Sequence, residues 1–288
     1  MVRGSCLCGA IQYEFDEPYK WFIHCHCSMC RKNHGTFHGS IVLVEKSRFR
    51  FLSGEDAIVH YRSSKAFGRP FCNRCGSKVP DVSGAYAAIP AGTVDAELEG
   101  DPPIRIFVAH KSPMEVITDA ATQFDAYPPG FGVAVSPPLT AEPSTPLRGS
   151  CLCGAVAFEI ASQPKKIVQC HCSRCRRSRG TAHGVNTFVA QDQLRFIRGT
   201  DRIKTYRPPD APRFSDAFCE SCGSLVPVVL ETLKISLVPV GLLDTPFAVQ
   251  AATNIYVGSK AKWFTITNRF PQFEELPPRD KIPEMLLG

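Results

Sequence analysis

The stretch Cys25-His26-Cys27-Ser28-Met29-Cys30 packs three cysteines into six residues, one sulfur short of a closed tetrahedral zinc site. It returns 145 residues later as Cys170-His171-Cys172-Ser173-Arg174-Cys175. Whether the fourth position is closed by a distant side chain or left for a substrate governs the functional reading.

Outward from this stretch, the chain repeats itself. Arg3-Gly4-Ser5-Cys6-Leu7-Cys8-Gly9-Ala10 recurs as Arg148-Gly149-Ser150-Cys151-Leu152-Cys153-Gly154-Ala155. Phe71-Cys72-Asn73-Arg74-Cys75-Gly76-Ser77 recurs as Phe218-Cys219-Glu220-Ser221-Cys222-Gly223-Ser224, now offset by 147, and Ile106-Phe107-Val108 matches Ile255-Tyr256-Val257 at 149. The drift marks two small insertions, near Pro208-Pro209 and within Val229–Leu237. Such self-similarity indicates a duplicated unit. The expected domains are 1–135 and 148–288. They are joined by 136–147, a stretch rich in proline and small polar residues that reads as an extended, semi-stiff connector.

Within each copy the apolar runs are short, β-branched or aromatic, and separated by glycine, proline and aspartate. Strands are expected at Ile11–Phe15, Ile41–Val44, Phe49–Leu52, Ile58–Tyr61, Ile104–Ala109 and Glu115–Thr118. Their counterparts are Ala155–Ile160, Leu194–Ile197, Asn254–Val257 and Trp263–Thr267. Short helical turns fit near Thr93–Glu99 and after Phe270. The fold class is mainly β.

A hydrophobic content of 44% and a charged content of 21% are those of a soluble globular protein. The start Met1–Cys6 has no apolar signal core, and no apolar run reaches membrane-spanning length. These features lead us to expect a cytoplasmic protein without a membrane partner. The net charge of +6 is too small for a dedicated nucleic-acid binder. Fourteen cysteines arranged as C-x-C and C-x-x-C pairs, in a reducing compartment, read as metal ligands rather than disulfides.

Each copy has seven cysteines, which divide as four plus three. The outer pairs, Cys6/Cys8 with Cys72/Cys75 and Cys151/Cys153 with Cys219/Cys222, supply four sulfurs and can close one structural zinc each. The middle trios, Cys25/Cys27/Cys30 and Cys170/Cys172/Cys175, can hold a second zinc with one exchangeable position, as catalytic zinc sites do. Two zinc ions per domain are expected. His38 and His183 are equivalent and lie eight residues beyond each trio; they fit closure of the site, proton transfer, or a plain hydrogen bond in the fold. His26 and His171 sit between ligating cysteines, where strand alternation turns them away from the metal. Arg31 with Lys32, and Arg176 among Arg174, Arg177 and Arg179, are cations able to offset thiolate charge or to attract the carboxylates of a thiol substrate.

These motifs (G-S-C-x-C-G, C-H-C-S-x-C-R, F-C-x-x-C-G-S, then I-x-V-x-x-K and Q-F-[DE]) resemble those of the glutathione-dependent formaldehyde-activating enzyme family, which includes centromere protein V. The resemblance covers nearly all of both copies. It implies two tandem zinc-stapled β-tent-like domains, with the outer cysteines structural and the trios at a catalytic zinc. The activity implied is carbon–sulfur lyase chemistry on a small-molecule thiol and aldehyde, glutathione and formaldehyde giving S-hydroxymethylglutathione. Met114 stands where the second copy has Trp263, a position at which the family tends to carry an aromatic. A rival class is a non-enzymatic zinc module that binds protein or nucleic acid through Arg174–Arg179. Against that rival, the chain shows no recognition-helix pattern and no long basic face.

Overall fold

The computed structural model describes residues 1–64, 67–98, 101–130 and 145–287. In the first half the short apolar runs form β1 (Val2–Ser5), β2 (Gln12–Phe15), β3 (Trp21–Cys25), β4 (Gly39–Glu45), β5 (Phe49–Ser53), β6 (Ile58–Arg62), β7 (Gly68–Cys72), β8 (Tyr86–Pro90) and β9 (Ile104–Ile106). They assemble as an antiparallel sheet β1-β2-β5, a sheet β8-β4-β3-β9 and a hairpin β6-β7. β3 pairs antiparallel with β4 and parallel with β9, so it is central. Its burial on both faces lets one strand serve two different sites.

The second half repeats the plan. Leu147–Ser150, Ala157–Ile160 and Leu194–Arg198 form the three-stranded sheet, and a six-stranded sheet is centred on Gly184–Ala190 and Lys166–Cys170. The insertion expected within Val229–Leu237 lengthens a hairpin between Val228–Leu230 and Ile235–Pro239. Among the described residues the α-helices are short: α1 (Ser28–His34), α2 (Ser173–Arg179) and α3 (Ile282–Leu287). No helix among the described residues is long and apolar enough to cross a membrane.

Several expected elements differ. The strand expected over Ile104–Ala109 stops at Ile106, because Phe107 adopts a left-handed backbone (φ 59°) that opens a 3-10 turn over Val108–His110. Glu115–Thr118 and Trp263–Thr267 form no ladder; buried Glu115 and half-buried Phe264 instead line a chamber between the halves. The turn near Thr93–Glu99 closes earlier, as a 3-10 turn over Ala91–Thr93. After Phe270 the helical segment is α3. Of the connector 136–147, residues through 144 lie outside the described residues, and Leu147 already opens a strand.

The halves clasp one another reciprocally, as two copies related by a two-fold would. Lys32 Nζ reaches Ser150 Oγ (2.6 Å) and Asp244 Oδ1 (2.6 Å), while Arg177 reaches Ser5 Oγ (2.6 Å) and Asp95. Phe71 and Phe218 meet across the seam with ring centroids 6.3 Å apart. Each ring lies over a glycine of the other half: a Cβ on Gly76 would stand 2.6 Å from Phe218, and one on Gly223 would stand 2.4 Å from Phe71. Trp263 packs into the core of the first half and Met114 into that of the second. Likewise Tyr61 lies beside the outer cysteines of the second half, and Tyr206 beside those of the first.

Candidate metal centres

The outer cysteines converge as their spacing requires. Cys6 and Cys8 occupy the turn after β1, Cys72 ends β7, and Cys75 follows in a glycine turn. The four sulfurs lie within 4.8 Å of one another, with Cys6–Cys8 at 3.4 Å and Cys8–Cys72 at 3.8 Å. The second set shows 3.5 Å for Cys151–Cys153 and 3.8 Å for Cys153–Cys219. Two sulfurs on one tetrahedral zinc stand about 3.8 Å apart for Zn–S bonds of about 2.3 Å. None of the fourteen thiols is in a disulfide. Four sulfurs this close repel one another as thiolates unless a cation lies among them. The donor set fits zinc.

Each trio is built at the junction of strand and helix. Cys25 ends β3, Cys27 caps α1 with its sulfur accepting the Cys30 N–H at 3.4 Å, and Cys30 sits in the first turn. Gly35 closes α1 in a left-handed conformation (φ 64°). Cys25 and Cys27 sulfurs lie 3.5 Å apart. Among the described residues, no histidine, carboxylate or further cysteine joins either trio. Beside the first trio lies a cavity of about 220 Å³ walled largely by apolar residues, including Ile23, Leu43, Phe107 and Tyr127.

A cation that sequence reasoning missed sits at this cavity. Arg69 Nη1 lies 3.5 Å from Cys30 Sγ. Burial opposes its charge, but the sulfurs of Cys30, Cys27 and Cys25 prevail and hold the guanidinium pKa above its usual value. Arg69 belongs to a strand whose later residues, Pro70–Cys72, are buried, and a charged residue beside them was the available signal. The equivalent residue, Asp216, is buried, and burial raises its carboxyl. In the second half Met285 and Leu286 of α3 pack in one apolar cluster with Cys170, Cys172 and Cys175.

The other candidate residues lie elsewhere. Arg31 and Arg176 are largely removed from solvent, with Nε unpartnered, and burial lowers both pKa values. Neither borders the cavity beside the first trio. The basic cluster on α2 is committed to the fold: Arg174 pairs with Asp210, Arg177 clasps the first half, and buried Arg179 bonds to Gly35 O (2.7 Å) and Asn186 (2.6 Å). His38 and His183 line a separate chamber of about 400 Å³ between the halves, whose wall contains no cysteine. Alternation along β3 explains the separation, since Ile23 and Cys25 join the trio's cluster while His24 stacks 4.7 Å from His38. His26 turns to Glu115, its Nδ1 2.8 Å from Oε2. Burial opposes the charge of Glu115, yet its bonds to His26 and His38 keep the carboxyl well below the usual range. Burial pushes His38 down and His183 well down.

Comparison with known proteins agrees with these motifs. The pattern of the family described as glutathione-dependent formaldehyde-activating enzyme matches residues 1–110 and 146–259. A Halomonas elongata protein described as "Putative glutathione-dependent formaldehyde-activating enzyme" is 30% identical over 83 residues, which are 27% of this chain. The chain spans about half (53%) of that relative's length. A crystal structure of a Rhodobacter sphaeroides protein covers 34% of this chain and 87% of its own, at 26% identity and a TM-score of 0.28. With its family pattern matched in both halves, this chain belongs to the glutathione-dependent formaldehyde-activating enzyme family.

Proposed function

We propose that the chain is a carbon–sulfur lyase that joins a thiol to an aldehyde reversibly, glutathione and formaldehyde giving S-hydroxymethylglutathione. Cys6, Cys8, Cys72 and Cys75, with Cys151, Cys153, Cys219 and Cys222, would hold structural zinc. Cys25, Cys27 and Cys30, with Cys170, Cys172 and Cys175, would hold zinc at the thiol-handling sites. Zinc bound by three thiolates supplies a further coordination position, where a thiol is stabilised as thiolate at neutral pH. The observation that carries the reading is the contrast within each half, four converging sulfurs in one group and three in the other.

The chain's own residues set the conditions around the first trio. The apolar wall formed by Ile23, Leu43 and Phe107 keeps water from competing with the thiol. Arg69 offsets the surplus negative charge of three thiolates and lies where it can bind an anionic group of the substrate. His38 and His183 stand in the separate chamber, so we assign the alkoxide's proton to water. We assign turnover to the first half, because Asp216 replaces Arg69 in the second and α3 packs against its trio. Free thiols in such numbers fit a reducing compartment such as the cytoplasm.

The test is a glutathione and formaldehyde assay on zinc-loaded protein. A rate above uncatalysed adduct formation that is lost in Cys27→Ser supports the proposal. A fully zinc-loaded, folded protein with no excess rate refutes it.

A further inference from the structure

Asp119, Arg105, His26, Glu115 and His38 form one chain of hydrogen bonds, mostly buried, at the meeting of the two halves. Arg105 grips Asp119 through Nε (3.0 Å) and Nη2, and its Nη1 lies 3.0 Å from Nε2 of His26. A guanidinium only donates, so Nε2 of His26 accepts and the ring proton resides on Nδ1. That N–H donates to Glu115 Oε2 at 2.8 Å. The other carboxylate oxygen lies 3.1 Å from Nδ1 of His38. An ionised carboxylate only accepts, so His38 also carries its proton on Nδ1. Its Nε2 is therefore a bare lone pair. This atom is buried and has no partner among the described residues. His183, with Nδ1 likewise unpartnered, borders the same chamber, its ring 6.1 Å from that of His38. The remaining wall mixes apolar side chains, among them Phe37, Met114, Phe247 and Phe264, with polar ones such as Gln169, Gln250 and Asn268.

The donor atoms of His26, His38 and Glu115 also lie within 4.8 Å of one another, close enough to invite a metal ion. Arg105 decides against it. Metal on Nδ1 of His26 would force the proton onto Nε2, setting donor against donor at 3.0 Å.

The second half has only a shortened chain, in which Asn254 Nδ2 donates to Asn268 Oδ1 at 2.9 Å and Asn254 Oδ1 lies 3.0 Å from Nε2 of His171. Among the described residues no carboxylate joins His171 to His183. Phe264 stands at the place of Glu115, Asn254 at that of Arg105, and Asn268 at that of Asp119. One half thus supplies an oriented acceptor, and the other supplies an aromatic ring that lines the same chamber and packs 5.2 Å from the ring of His183.

We propose that this chamber is a second small-molecule site, separate from the cysteine trios. Its ligand is a neutral compound with an aromatic or similarly apolar body and an O–H or N–H group that donates to Nε2 of His38. The proposal stands independently of the thiol chemistry, since no cysteine borders the chamber.

The experiment uses the full zinc-loaded chain with para-fluorophenol as probe, followed by fluorine NMR, and para-fluoroanisole as the control without a donor. We expect saturable binding of the phenol, accompanied by movement of the His38 ring nitrogen signals, and about tenfold weaker binding of the anisole. Glu115→Gln should invert the acceptor. His26 claims the amide oxygen, the amide NH₂ faces Nδ1 of His38, and the His38 proton moves to Nε2. Phenol binding should then fall about tenfold and the nitrogen shifts should report the exchanged tautomer. Equal affinity for both probes would reduce the chamber to an apolar cavity and overturn the proposal. Absence of saturable phenol binding, or undiminished binding in folded Glu115→Gln, would also overturn it. So would one more tightly held zinc per chain in the native protein than in the variant, which would return the cluster to a metal.

Discussion

Arg69 and Asp216 hold the same position, three residues before the C-x-x-C of each half, yet carry opposite charge. Arg69 bonds to a trio sulfur, whereas Asp216 is buried with Oδ2 unpartnered. Arg69→Gln should therefore lower the glutathione and formaldehyde rate by about ten- to a hundredfold, the value of a charge-assisted bond. Metal content should remain unchanged. Asp216→Asn should leave the rate within about twofold, since on this reading the second trio does not turn over. Equal losses from both substitutions would mean that both halves work.

Metal analysis of protein purified without added zinc should find up to four ions per chain. Cys8→Ser and Cys153→Ser should unfold or aggregate the protein, because a structural zinc contributes about 10–16 kcal/mol, comparable to the stability of a whole domain. Cys27→Ser should keep the fold and lose one ion. Circular dichroism alongside metal analysis separates these outcomes.

The reciprocal glycines carry a measurable strain. Gly76→Ala and Gly223→Ala each place a Cβ inside the ring of the opposing phenylalanine, at a positive φ of 72° or 69°. Each should cost about 2–4 kcal/mol and lower the melting temperature by roughly 5–10 °C. Gly9→Ala shares the φ of 72° but meets nothing within 4 Å, so it should cost only about 1–2 kcal/mol. Calorimetry of the three variants isolates the contribution of the seam.

Acid should weaken the fold through His183. Burial holds its pKa well below the ordinary value of 6.5, so below that pH the unfolded chain binds the proton that the folded chain refuses. The contribution of His183 is complete above about pH 6.5 and is lost as pH falls, by up to about 1.4 kcal/mol per unit, until the folded pKa is reached. His183→Gln at equal zinc loading should flatten that part of the stability profile. Denaturant titrations between about pH 6.5 and 5 provide the comparison.

Metal chemistry writes its requirements into local spacing, so the duplication, the four-plus-three division and the outward turn of His26 were all legible in the chain. The seam was not. Glu115–Thr118 looks like a strand until Glu115 is seen between two imidazoles contributed by other elements. The central strand β3, which carries both a trio cysteine and His24, escaped notice because its residues are buried on both faces and show no alternation. Arg69 reaches Cys30 across thirty-nine positions of sequence, a distance over which spacing gives no guidance.

A homodimer must accept every substitution twice, once on each side of its axis. Because the two interlocked halves here belong to one polypeptide, a glutamate could arise at position 115 while its twin at 264 became phenylalanine. Covalent fusion thereby frees a symmetric scaffold to acquire a lopsided interior, which two identical subunits cannot build.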